Sequence, residues 1–164
     1  MDLSAFSMED LLLSAMKAET ESRDVYKKLS AGVKNALLKD RLRFLSEEEE
    51  KHRVFFEMLF KQRFQKKEIA LPKKTPVPLP DIKIEDENLP ISEIFWRAMQ
   101  AEMAAHDFYN KMAERFTDEP QIEKMLLYIA TMEKGHYKLL EIEKENAEKF
   151  EAYDAEWPMM HIGA

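Results

Sequence analysis

Residues 15–29 read AMKAETESRDVYKKL, and residues 98–112 read AMQAEMAAHDFYNKM. The two segments align without a gap and share a glutamate, an aspartate and a tyrosine, as the pairs Glu19 and Glu102, Asp24 and Asp107, and Tyr26 and Tyr109. A second match follows, EEKH at 49–52 and EKGH at 133–136, each with a glutamate three residues before a histidine. We therefore predict that the chain contains two copies of one structural unit.

Composition predicts that the repeated unit is helical. Only 3 of the 164 residues are glycine, 35% are charged, and Ala, Leu, Met, Glu and Lys are abundant, all of which favours helices. The length is typical of one domain with a sizeable core. We expect a single all-α domain over residues 1–164.

Four long helical patterns divide the chain. Ser7, with Asp10 three residues later, resembles a capping box that begins the first helix. Asp118 and Pro120 are typical of the start of the fourth. The predicted helices cover about residues 8–30, 34–67, 92–116 and 119–150.

The segment between the second and third helices determines the topology. Residues 68–91 contain five prolines and cannot continue a helix. Short loops join the helices on either side into antiparallel hairpins. At about 3.3 Å per residue the connector can run the length of the bundle, so we expect an antiparallel four-helix bundle of two repeated hairpins joined by a long crossover. The tail, residues 151–164, is broken by Pro158, and we expect irregular chain packed on the bundle or on a second subunit.

Helical spacing places the matching glutamates and histidines on inward faces. Residues spaced alternately three and four apart lie on one face of a helix. On each predicted helix one such row is apolar or small except near its middle, where the second helix has Glu49 and His52. Glu47, Glu48 and Glu50 fall on other faces and are expected to be solvated. The inward-facing polar residues are Glu19, Glu49, His52, Glu102, Glu133 and His136.

Four carboxylates in an apolar bundle need a neutralising partner. Each buried ionised carboxylate costs several kcal/mol of desolvation, and mutual repulsion favours protonation of some of them. Two divalent cations would neutralise the four and accept two imidazoles, and this oxygen-rich ligand set suits iron or manganese better than zinc. A buried polar network without metal is the alternative. Small residues beside the lone glutamates leave room for metal, water or a small oxidant: Ala15, Ser22, Ala98 and Ala105.

This constellation resembles the ferritin-like di-iron carboxylate proteins, and within them the rubrerythrin and bacterioferritin groups. The likeness covers about residues 8–150. It implies three pairs of metal ligands, one of each pair from each repeat: terminal carboxylates, bridging carboxylates and terminal imidazoles. In that order the pairs are Glu19 and Glu102, Glu49 and Glu133, and His52 and His136.

The resemblance also predicts what surrounds these ligands. It implies that Tyr26 and Tyr109 donate hydrogen bonds to ligand carboxylates, and that Asp24 and Asp107 help to orient ligands. Rubrerythrins typically carry a further glutamate where this chain has Ala105, and a cysteine-rich rubredoxin module, whereas this chain has no cysteine. A catalytic cycle would therefore need a separate electron-donor protein.

The predicted cofactor is a pair of iron ions, with manganese or a mixed pair left open. The predicted function is that of an oxidoreductase in which Fe(II) reacts with dioxygen or hydrogen peroxide. Two alternatives stay open at this point: an iron-binding or sequestration module without fast turnover, and a structural bundle without metal.

Charge and hydropathy limit the other partners. A net charge of −7 disfavours nucleic acid and anionic membrane surfaces. No apolar run approaches the roughly 20 residues of a membrane span. The first residues lack the basic start and apolar core of a signal peptide, so we expect a cytoplasmic protein. Tyr153 and Trp157 in the tail offer apolar surface that favours a homodimer.

Overall fold

The computed structural model describes residues 2–80 and 89–156, the last four of them by their backbone alone. This part of the chain forms four α-helices and no strand. None of these helices is long and apolar enough to cross a membrane. The predicted all-α fold is confirmed, and the helices are α1 (Met8–Gly32), α2 (Ala36–Arg63), α3 (Ile91–Ala113) and α4 (Pro120–Glu156).

Side chains cap the first two helices at their amino ends. The Ser7 hydroxyl accepts from the Asp10 N–H, and the Asp10 carboxylate accepts from the Ser7 N–H, which completes the predicted capping box. The Asn35 side chain accepts from the Leu38 N–H in the same way. These contacts satisfy N–H groups that have no partner within the helix.

Three helices end three or more residues away from the predicted positions. Helices α2 and α3 end at Arg63 and Ala113, earlier than predicted. After α3, hydrogen bonds between residues three apart tighten the chain and turn the buried Phe116 into the core. Helix α4 continues to Glu156, so residues 151–156 are helical and not irregular as predicted. The rest of the tail, with Trp157, lies outside the described residues.

Helices α1 and α2 form one hairpin and α3 and α4 the other, as the repeat predicted. Two ion pairs show that α2 and α4 are antiparallel. Arg41, near the start of α2, pairs with Glu143, late in α4. Arg63, at the end of α2, pairs with Glu119, just before α4.

The described part of the connector runs along α1. Lys67 pairs with Glu9 at 2.6 Å, and ten residues later the Val77 N–H donates to the Ser14 hydroxyl at 3.3 Å. Its course is therefore parallel to α1. Helix α3 then begins at Ile91 beside the end of α4, at the opposite end of the bundle from the end of α2. This is the predicted long crossover.

The core consists of two apolar clusters at different heights in the bundle. Phe56 and Phe108 belong to the cluster near the start of α1, and Leu45 and Phe95 to the cluster near its end. On every helix the predicted ligands lie between residues of the two clusters. The bundle therefore holds a polar layer between two apolar layers.

Loss of the Ser14 hydroxyl tests how the connector is attached. Ser14→Ala leaves the buried N–H of Val77 without an acceptor, and we expect the free energy of unfolding to fall by about 1–3 kcal/mol. Ser4→Ala, at an exposed position, is the control and should change it by less than about 0.5 kcal/mol. Chemical denaturation measures both, and equal stability of the two variants would contradict this account.

Candidate metal centre

The six predicted ligands meet in the layer between the two apolar clusters. Each is buried, with at most 5% of its surface exposed. They form two overlapping sets, and within each set one ligand atom from every residue lies within 4.8 Å of the others. Glu49 and Glu133 belong to both sets. The first set is Glu19, Glu49, His52 and Glu133, and the second is Glu49, Glu102, Glu133 and His136.

Each set combines residues of both hairpins. Helix spacing brings Glu49 and His52, one turn apart on α2, to the same face, where Glu19 of α1 joins them. Glu133 arrives from α4 of the other hairpin. Neither hairpin alone can build a set, so the site forms only when the two hairpins pack together.

The two imidazoles make matching approaches across the hairpins. Nδ1 of His52 lies 2.9 Å from Oε1 of Glu133, and Nδ1 of His136 lies 3.0 Å from Oε1 of Glu49. Their rings are stacked, with centroids 5.7 Å apart. The two Nδ1 atoms and the two Oε1 atoms nevertheless have no hydrogen-bond partner. Each pair is close enough for a hydrogen bond, but the angles at the donor and acceptor atoms are unsuitable. Buried polar atoms without partners are rare in proteins, and their convergence here fits bound cations.

Two fully buried tyrosines hold the lone glutamates crosswise. The Tyr26 hydroxyl of α1 donates to Oε1 of Glu102 on α3, and the Tyr109 hydroxyl of α3 donates to Oε1 of Glu19 on α1. The second oxygen of each glutamate faces an imidazole, 3.5 Å from Nδ1 of His136 for Glu102 and 3.6 Å from Nδ1 of His52 for Glu19. Each tyrosine therefore fixes one carboxylate oxygen and leaves the other toward the cluster.

The structure does not bring Asp24 and Asp107 to the site, and this corrects the prediction for both. Asp24 pairs with its neighbour Arg23 at 2.8 Å and has a side chain 61% exposed, while Asp107 is also exposed. Both lie five residues after a lone glutamate, by which point a helix has turned away from the original face. Helical spacing alone would have excluded them.

Burial and mutual charge control protonation in the layer. Burial raises the pKa of Glu19 well above its ordinary value, and burial with the charges of Glu19 and Glu102 raises the pKa of Glu133 to about 8. For Glu102, burial raises the pKa, but the contacts with His136, Glu133 and Tyr26 together outweigh burial and lower the pKa of that carboxyl. Burial opposes charge on His52, but the contacts with Glu133 and Glu19 raise its pKa overall. Metal ligands bind in their deprotonated form, so divalent cations would displace the protons that the raised pKa values of Glu19 and Glu133 favour, and the residues fit such cations.

A cavity of about 20 Å³ adjoins the four carboxylates between α1 and α3, with room for about one water molecule. Ser22 and Ala105 line it, as their small size predicted, whereas Ala15 and Ala98 belong to the apolar clusters. Its other small residues are Ala18 and Ala101. The connector supplies Leu79 and Pro80, which helical spacing could not place.

Comparison with known proteins agrees with this arrangement. A family model described as rubrerythrin matches residues 10–144. A solved structure of a hypothetical protein from Pyrococcus furiosus is 34% identical in sequence to this chain and superposes on it with a TM-score of 0.77. The match covers 91% of this chain and 95% of the Pyrococcus furiosus chain. No curated protein matches the sequence.

Removal of one tyrosine hydroxyl tests the crosswise contacts. Tyr109→Phe frees one oxygen of Glu19, and loss of such an orienting contact should weaken Co(II) binding about 10–100-fold. Tyr128→Phe, at a residue 59% exposed, is the matched control and should bind as the unchanged protein does. Anaerobic titration followed by visible absorption measures both affinities. Equal affinity in the two variants would show that the Tyr109 hydroxyl does not position a ligand.

Proposed function

The chain belongs to the rubrerythrin family, and on that premise we propose that it is a di-iron carboxylate oxidoreductase in which Fe(II) reacts with hydrogen peroxide or dioxygen. One observation carries the proposal: two buried sets of three carboxylates and one imidazole that share Glu49 and Glu133. Shared carboxylates between two cation positions are what a bridged metal pair requires. Oxygen-rich sites with imidazole suit iron or manganese.

The six residues would hold two metal ions in the roles that their positions suggest. Glu49 and Glu133, common to both sets, would bridge, while each remaining glutamate and histidine would serve one ion. Four carboxylates balance the charge of two divalent cations, which removes the cost of burying them unpaired. Tyr26 and Tyr109 would keep the terminal carboxylates oriented.

Bound Fe(II) would supply two electrons, one from each ion, that break the O–O bond of hydrogen peroxide, and two protons from solvent would complete two water molecules. With dioxygen the same two electrons and two protons would yield hydrogen peroxide. The carboxylates of this chain would stabilise the higher charge of an oxidised metal pair. The two apolar clusters exclude bulk water from the layer. A separate electron-donor protein would restore Fe(II), because the chain has no cysteine for a four-thiolate iron site.

Anaerobic loading with Fe(II), followed by mixing with hydrogen peroxide or with oxygen, tests the proposal. We expect about two tightly bound irons per chain, as in ferritin-like di-iron sites, and prompt oxidation seen as near-ultraviolet absorption. Glu49→Ala should abolish both, since it removes a ligand common to both sets. Glu47→Ala, at an exposed position in the same run of glutamates, is the control and should change neither.

The other outcomes identify the alternatives. Two bound irons that neither oxidant oxidises promptly would contradict the redox proposal and favour iron sequestration. Absence of stoichiometric iron, with a melting temperature that does not rise on adding iron, would favour a structural bundle without metal.

A further inference from the structure

Residues 75–80, TPVPLP, form an alternating segment of the connector, which we call the proline strap. Val77 is fully buried and Leu79 is half-buried, and both pack against the apolar cluster near the start of α1. Pro76, Pro78 and Pro80 are exposed. The strap therefore presents one apolar side to the bundle and a row of prolines to solvent.

The strap is held in one conformation by its sequence and its contacts. Each proline fixes its own φ angle and has no N–H that needs a partner. The two N–H groups between Pro76 and Pro80 are both bonded: that of Val77 to the Ser14 hydroxyl at 3.3 Å, and that of Leu79 to the Val77 carbonyl at 2.9 Å. The second bond closes a tight turn around Pro78. Such a segment loses little entropy when it is held in place.

The end of the strap completes the wall of the cavity beside the carboxylates. Leu79 and Pro80 line it together with small residues of α1 and α3, and Glu49 of α2 and Glu133 of α4 line it as well. The imidazoles do not line this cavity. They stack on each other between α2 and α4, where Phe44 meets the edge of His136. The cavity therefore reaches the cluster on its carboxylate side, from between α1 and α3.

We propose that the proline strap is a size filter for the oxidant, and that Leu79 is its specificity-determining residue. The inference rests on the proposed function and concerns which oxidants reach the same site. A cavity of about 20 Å³ has room for about one water molecule, so among oxidants only the smallest, such as hydrogen peroxide and dioxygen, come close to that size. The site therefore takes small oxidants and rejects hydroperoxides that carry an organic group.

A binding measurement without turnover tests the filter directly. The protein is loaded with Fe(II) under argon and mixed with nitric oxide or with nitrosobenzene, and binding is followed by visible absorption. Leu79→Ala should accelerate nitrosobenzene binding by about 10–100-fold, the range that a hydrophobic pocket gains or loses in size discrimination, and leave nitric oxide binding unchanged. Leu71→Ala is the matched control, since Leu71 is an exposed leucine of the same connector outside the cavity.

Oxidation should show the same selectivity. Cumene hydroperoxide would take two electrons from two Fe(II) ions and two protons, its O–O bond would break, and the products would be the alcohol and one water. The unchanged protein should be oxidised by hydrogen peroxide about 10–100-fold faster than by cumene hydroperoxide, and Leu79→Ala should remove most of that difference.

A second variant fills the cavity instead of opening it. Ala105→Leu adds bulk to the wall opposite the strap and should slow nitric oxide and hydrogen peroxide while two irons remain bound. If Leu79→Ala does not bind iron, the test rests on Ala105→Leu alone. Nitric oxide and hydrogen peroxide rates in Ala105→Leu equal to those of the unchanged protein would then overturn the filter.

The two proposals fail in different ways. Two bound irons, with nitrosobenzene rates that are equal in the unchanged protein, Leu79→Ala and Leu71→Ala, would overturn the filter and leave the proposed function standing. Absence of bound iron in the unchanged protein would overturn both.

Discussion

The burial of four carboxylates and two imidazoles at mid-height is the constraint on which the rest of the bundle depends. An apolar interior cannot hold such charge unless partners neutralise and orient it. The contacts in this layer involve all four helices, since Tyr26 and Tyr109 hold glutamates of the opposite hairpin and each imidazole approaches a glutamate across the hairpins. The apolar clusters above and below supply the burial energy that permits a polar layer between them.

The repeat makes the two halves of the site similar, and the connector makes their surroundings different. Glu19 and Glu102 occupy equivalent positions in the two hairpins, and each accepts a hydrogen bond from the tyrosine of the other hairpin. The described part of the connector, however, lies on one side of the bundle, where it runs along α1 and ends at the cavity. The opposite side holds the stacked imidazoles. Leu79 and Pro80, which line the cavity beside the carboxylates, therefore belong to neither repeat.

Helical periodicity explains what the sequence could predict. Glu49 and His52 stand one turn apart in an otherwise apolar stripe, so their burial followed from spacing alone, and the same holds for the other predicted ligands. Spacing also argues against Asp24, which matches Asp107 in the repeat but does not face inward. The contact of Leu79 with the cavity depends on how a non-helical segment crosses the bundle. No local period encodes that path, so only the three-dimensional structure could show it.

The crystal structure of the iron-loaded protein, with anomalous scattering recorded at the iron edge, tests the central claim most directly. The account predicts two iron peaks within the polar layer, both bonded to Glu49 and Glu133, with one of His52 and His136 on each. Each peak should also contact one of Glu19 and Glu102. A single peak, or peaks only at surface carboxylates, would contradict it.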